Sequence, residues 1–190
     1  MNEAELLRQA LEMGFANAAL IDTCDITFIP AFRPLCRENL CGQYGVNYAC
    51  PPDCGSVEEM RARILRHPRA LVMQTMWEID DPLDAAQTRP AKRRHNQLTR
   101  QLIDWAGEPG LMVGASGCGL CSPCAITEGR PCRFPELQYS CMSAYCVFVR
   151  ELAERCGMEY DCGPGVVAFF SMYCFGESRP VSQARGPDPA

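Results

Sequence analysis

Cysteines are the residues whose spacing could do chemistry here, and the chain holds 14 of them among 190 residues. The tightest run is Gly117-Cys118-Gly119-Leu120-Cys121-Ser122-Pro123-Cys124, followed by Cys132, a C-x2-C-x2-C-x7-C pattern. Three thiolates at successive intervals of three can each take one iron corner of a cubane, and a more distant fourth closes the shell. Gly117 and Gly119 tolerate unusual dihedrals and let backbone N–H groups approach cluster sulfurs, where hydrogen bonds help set potential. Arg130 and Arg133 flank Cys132, where they could offset the charge of a thiolate-ligated cluster. A structural zinc is the competing reading, although zinc sites usually bring two separated C-x2-C pairs. Free thiols are the third.

A second set, Cys36-x4-Cys41-x8-Cys50-Pro51-Pro52-x-Cys54, matches no standard run. Its Cys50-Pro51 step is similar to the Cys-Pro that ends bacterial ferredoxin runs, and Gly42, Gly45 and Gly55 keep the loop pliable. A helix capped by Ser56 would begin two residues after Cys54, placing its positive end near a thiolate or an anionic cluster. A cluster, a zinc ion and redox-active or structural thiols are all compatible with this spacing. In two-cluster ferredoxins the fourth cysteine of one run serves the other cluster, so Cys54 and Cys132 could trade centres.

The elements that must position these loops alternate between helix and strand. Leu6, Leu7, Ala10 and Leu11 share one face of a helix over about 3–13, ended by Gly14; Ala18–Ile21 reads as a short strand. Ser56 with Glu59 forms a capping box, and His67-Pro68 supplies the stop. Ala70–Trp77 reads as a central strand. A polar loop over Asp80–Pro90 precedes a long helix to Ala106 with Leu98, Leu102 and Trp105 as its buried stripe. Leu111–Ala115 is the next strand, Ser140–Cys156 the last helix, and Val166–Phe175 the final strand, followed by a tail over 176–190 expected to be disordered. The expected fold is a single α/β domain over 1–175, a mixed sheet flanked by helices with the cysteine loops at strand ends.

Other residues read more plainly. Cys146 and Cys156 fall on the apolar stripe of the last expected helix and Cys24 and Cys174 beside strands, so all four read as core. Cys141 and Cys162 sit in turn-like contexts, and either could be a spare ligand. His67 and His95 read as surface residues, and the Lys92–Arg94 run as a solvated helix face or a dock for an acidic redox partner or a phosphate-bearing ligand. Trp77, Glu78 and Asp80 fall near an expected strand end, where they could line a pocket, and no nucleotide loop, nucleophile elbow or acid–base carboxylate pair is present.

Composition narrows the partners. The chain is 47% hydrophobic and 22% charged, with 18 Lys and Arg against 23 Asp and Glu and a net charge of -5. That balance offers no electrostatic reason to bind nucleic acid or an anionic membrane. The N-terminus lacks the pattern of a secretory signal, and no run reaches the roughly 18 apolar residues of a membrane span. A cytoplasmic location is therefore expected, where metal or redox chemistry is a better use of thiols than disulfides.

The stretches Leu35-Cys36 and Tyr44–Pro52, with Gly114–Cys124 and Pro131–Pro135, resemble a prokaryotic family of predicted metal-binding proteins, domain of unknown function 2284. The resemblance extends from the first helix to Phe175. It implies a one-domain cytosolic metal-binding protein with Cys36, Cys41 and Cys50 as ligands in the first motif and Cys118, Cys121, Cys124 and Cys132 in the second. Cys54 stands beside the first motif as a further candidate ligand. Beside it, an α/β domain with cysteine clusters is loosely similar to ferredoxin-dependent reductases such as epoxyqueuosine reductase, an analogy of fold only. The expectation is an iron–sulfur protein with one or two [4Fe–4S] clusters that transfers single electrons or feeds a reductase through a redox partner protein. A zinc-stabilised, non-redox binding module is the alternative, as is an enzyme whose open cluster iron binds a small substrate.

Overall fold

The computed structural model describes residues 2–176, so most of the expected tail lies outside the described residues. Five strands form one mixed sheet: β1 (Asn17–Asp22), β2 (Arg69–Glu78), β3 (Leu111–Gly114), β4 (Ser140–Cys141) and β5 (Val166–Phe175). Their spatial order is β1-β2-β5-β3-β4. Only β3 and β4 run parallel; the other neighbours are antiparallel. The expected α/β class, with a mixed sheet and helices, is what the chain adopts.

Strand period explains how helices cover both faces. β2 and β5 pair along ten residues, from Arg69 opposite Phe175 to Glu78 opposite Val166. Successive side chains alternate across a strand. Ala70, Val72, Phe170, Met172 and Cys174 therefore join one core with Met60 and Ile64 of α2 (Val57–Leu65) and Leu152 and Ala153 of α4 (Val149–Arg155). Leu71, Met73, Tyr173 and Phe175 join the other, with Leu6 and Ala10 of α1 (Glu3–Glu12) and Leu98 and Leu102 of α3 (Ala85–Ala106). Burial on both faces is why β2 and β5 read as nearly continuous apolar runs.

The helix boundaries follow local chemistry with one shift. Ser56 accepts from the Glu59 N–H at 3.1 Å while the Glu59 carboxylate accepts from the Ser56 N–H at 2.8 Å, the expected capping box. The helix placed after Pro90 instead starts at Ala85, because Asp84 caps it by accepting from the Ala86 N–H at 2.8 Å. Pro90 lies inside α3 and leaves only the one carbonyl it cannot bond. Trp105 is 41% exposed and not part of the buried stripe, which runs instead through Ala91, His95, Leu98, Thr99 and Leu102. Gly107 ends α3 in the left-handed region at φ 66°, which a side chain would strain.

The helix expected over Ser140–Cys156 is a correction. Ser140–Cys141 is a strand, residues 142–146 form tight turns, and only Val149–Arg155 is α-helical. Buried Cys146 takes φ 57°, and Val147 bridges to Phe28. Tertiary pairing with β3 therefore overrode a stripe that has helical spacing.

Candidate metal centre

The first motif is carried by a 3-10 helix over Pro30–Glu38, which holds Cys36, and by the turns that follow. Cys41 is exposed, whereas Cys50 and Cys54 are 5% and 3% exposed. Cys50 and Cys54 share one turn, in which the Cys54 N–H donates to the Cys50 carbonyl at 3.1 Å. Asn47 organises it, accepting from the Ala49 N–H at 3.0 Å and donating to the Gln43 side chain at 3.0 Å.

The second motif leaves the C-terminal end of β3, as expected for a strand-end loop. The Gly119 N–H donates to the Tyr139 hydroxyl at 3.2 Å, and Cys124 caps a 3-10 turn over Ala125–Glu128. Cys118, Cys121, Cys124 and Cys132 are all partly exposed.

The two motifs, far apart in the chain, touch. Asn47 donates to the Cys118 carbonyl at 2.9 Å, and the Tyr48 hydroxyl donates to the Arg130 carbonyl at 2.9 Å. A Cβ placed on Gly117 would lie 2.7 Å from the Cys50 sulfur. Position 117 therefore has no side chain because a sulfur from the other motif already occupies that space. Cys54 and Cys132, one from each motif, line a common cavity of about 270 Å³ with Tyr48, Asp53, Arg63 and Tyr145.

Electrostatics divide the thiols into two neighbourhoods. Burial, with Cys141, Cys41, Cys54 and Cys36 adding repulsion in that order, pushes the Cys50 thiol far up. Burial likewise raises Cys141 to about 11, with Cys36 and Cys41 among its charged neighbours. Burial also raises Cys118, beside Cys121 and Cys132. Desolvation and like charge both favour the neutral thiol, and both penalties fall when a cation sits among the sulfurs. Arg33 is the protein's own cation at the first neighbourhood. It donates to the Cys54 sulfur at 3.4 Å, the Gly55 carbonyl at 3.0 Å and the Ala144 carbonyl at 2.6 Å, and it faces Cys146.

Arg130 and Arg133 both pair with Glu128, whose carboxyl they hold below its usual range, so two guanidinium groups share one carboxylate and one net positive charge stays in the loop beside Cys132. Among the other cysteines, Cys146 and Cys174 are buried and Cys156 partly so, but Cys24 is exposed rather than core. Cys162 stands beside Glu159 and Asp161. His67 is half-buried, and His95 is fully buried instead of at the surface. The His95 Nδ1 lies 2.7 Å from the Thr75 hydroxyl, which also accepts from the Trp77 indole at 2.7 Å. That contact leaves Trp77 bonded within the sheet.

Donor chemistry and neighbourhood fit a thiophilic metal group: eight motif sulfurs on two touching loops, with a glycine cradle against one of them. Closure is less complete. Among the described residues, no three His, Cys, Asp or Glu side chains converge tightly enough to hold one ion as they stand. Among them, too, no helix is long and apolar enough to cross a membrane.

A thiol-rich α/β domain with two abutting cysteine loops is the class that fold and site define. The chain belongs to the family described as Predicted metal-binding protein (DUF2284), whose model matches residues 19–174. That span runs from within β1 to the last residue but one of β5 and includes every cysteine of both motifs. No curated protein and no solved structure matches the chain.

Proposed function

We propose that this protein is a cytoplasmic iron–sulfur protein with two [4Fe–4S] centres that passes single electrons, either as a carrier or as the electron-feeding component of a reductase. Cys118, Cys121, Cys124 and Cys132 hold one centre; Cys36, Cys41 and Cys50, with a fourth sulfur, hold the other. The clusters supply one-electron redox chemistry, and their potential depends on net charge, hydrogen bonds to sulfur and exposure. The chain's own contribution is positional. Asn47 and Tyr48 fasten the loops together, the 3-10 segment brings Arg33 to the sulfur of Cys54, and glycines leave room for close approach.

The observation that carries this reading is the contact between Cys50 and Gly117, which joins a C-x2-C-x2-C-x7-C run to a second cysteine set. Two loops in contact suit electron transfer between centres better than two independent zinc knuckles would require. The partly exposed sulfurs of the second motif suit exchange with a redox partner protein. Anaerobic purification followed by iron and acid-labile sulfide determination, with EPR of the dithionite-reduced protein, tests it. The expected result is matched iron and sulfide with a reduced-cluster signal. Stoichiometric zinc without sulfide would reject it in favour of a non-redox binding module.

A further inference from the structure

We propose that the N-terminal half of α3 is the docking face for the redox partner, a small acidic one-electron carrier protein whose carboxylates seat on Arg89, Arg93 and Arg94. The inference rests on the reading of the chain as an iron–sulfur electron-transfer protein, and it names where the partner binds and what recognises it.

The chain is acidic overall, with a net charge of -5, yet between Asp84 and Asp104 it carries five cations and no carboxylate. The helix sorts those cations by face. Lys92 lies over the Phe169 ring, its Nζ 5.4 Å from the centroid, and Arg100 donates to the Leu137 carbonyl at 2.8 Å while facing the Tyr139 ring. Arg89, Arg93 and Arg94 have no such engagement. All three are exposed, and none forms a hydrogen bond or ion pair among the described residues. Their i, i+4 and i+5 spacing puts them on one side of the helix, where with Ala86, Pro90 and Gln97 they line an open groove of about 450 Å³. Its floor is small and apolar, and its rim is cationic. The acids that precede the helix are occupied elsewhere. Asp84 accepts from the Ala86 N–H and, at 3.2 Å, from the Gln87 side chain, and Asp81 accepts from the Leu83 N–H at 2.8 Å.

Charge complementarity selects the occupant. A second copy seated by a twofold contact would set arginine against arginine. A nucleic acid draws its affinity from many phosphate contacts, and a chain of net charge -5 repels it beyond this one face. A carboxylate-rich protein surface matches, because each guanidinium fork takes a carboxylate through two parallel hydrogen bonds.

The inner side of the same helix joins this face to the second cysteine motif. Buried Asn96 donates to the Ser116 hydroxyl at 2.9 Å and accepts from the Ala115 N–H at 2.8 Å, at the root of the loop that begins with Cys118. With a rise of about 1.5 Å per residue, Arg93 and Arg94 stand only about 3–4.5 Å from Asn96 along the helix axis. A partner held by these arginines is fixed to a helix that is itself bonded to the loop whose sulfurs are partly exposed. One electron then passes from the reduced carrier to the oxidised cluster, and no bond forms or breaks.

The test uses the anaerobically purified, cluster-loaded full chain and, as probe, reduced bacterial ferredoxin mixed by stopped flow. Wild type is compared with the triple variant Arg89→Gln, Arg93→Gln, Arg94→Gln. A second triple variant, Arg8→Gln, Arg66→Gln, Arg155→Gln, makes the same change in net charge at exposed positions on other helices. Iron and sulfide content and reduction by dithionite should be the same in all three. Electrostatic steering raises association rates by about 10–10³-fold, so at low salt the α3 variant should react with ferredoxin about tenfold or more slowly than wild type. The difference should vanish in about 1 M salt, where the screening length falls to about 3 Å. The second variant should follow wild type throughout. An α3 variant as fast as wild type, a loss shared by the second variant, or a wild-type cluster that dithionite reduces and ferredoxin does not, each overturns the proposal. Inhibition by inorganic phosphate beyond that of chloride at equal ionic strength would mark an anion subsite, and single-stranded RNA binding lost in the α3 variant would mark a nucleic-acid face; either also overturns it. Wild type without iron and sulfide overturns the underlying reading instead, and is recognised before any rate is measured.

Discussion

Replacing Gly117 by Ala adds one methyl group where the two cysteine motifs touch. Its Cβ would lie 2.7 Å from the Cys50 sulfur, whereas non-bonded heavy atoms settle at about 3.5–4.0 Å. Something must give by nearly 1 Å. The backbone on both sides is pinned, because Asn47 binds the Cys118 carbonyl and β3 ends only three residues earlier. The Cys50 side chain is therefore the part that moves. Metal–ligand distances tolerate only about 0.2 Å, so the displacement is several times what a ligand can absorb. The substitution should strip metal from the first centre and leave the second loaded, halving the iron count. It should also cost about 1–3 kcal/mol, the usual range for overpacking, or several degrees in Tm for a chain of this size. Metal analysis and thermal unfolding measure the two effects separately. A double-mutant cycle identifies the atom responsible: in a Cys50→Ala background the added methyl should cost clearly less. Full metal in Gly117→Ala, or the same cost with and without the Cys50 sulfur, refutes the contact as the joint between motifs.

Acid should unfold the protein partly through His95, whose burial holds the ring's pKa down at about 3 against 6.5 ordinarily. The unfolded chain then binds the proton more readily, so this stability is complete above about pH 6.5 and lost as pH falls towards 3, by up to about 5 kcal/mol. Urea unfolding of His95→Gln beside wild type over that window should give a shallower slope for the variant. Ser56→Ala should cost about 1 kcal/mol by removing the hydroxyl half of the α2 capping box, read from the shift in denaturant midpoint at unchanged m-value. Arg33→Gln removes a charged donor from one sulfur and two carbonyls, with an expected loss of about 1.5–3 kcal/mol. In the metal-loaded protein the same change should lower the reduction potential, since a nearby cation favours the more negative, reduced state; redox titration by EPR would detect it.

Much of the scaffold was legible because periodicity is a local property. β2 and β5 read as apolar runs since both their faces are covered, and α2 announced itself through Ser56 and Glu59. The segment after Ser140 imitates a helix because Met142, Cys146, Val149 and Ala153 have helical spacing, yet Cys146 takes a left-handed backbone and Cys141 pairs with β3. The burial of His95 is hidden from the sequence for a related reason. The residue follows Lys92-Arg93-Arg94, but at position 95 the helix turns inward onto the sheet.

The cysteine spacings alone marked two loops as thiol sites and assigned the chain's chemistry to sulfur, because ligand spacing within one loop is a property of adjacent residues. They could not say that Asn47 reaches Cys118 or that Gly117 makes room for Cys50. Those relations join residues from distant parts of the chain. They exist only once the strand order β2-β5-β3-β4 carries the end of β3 to its neighbours.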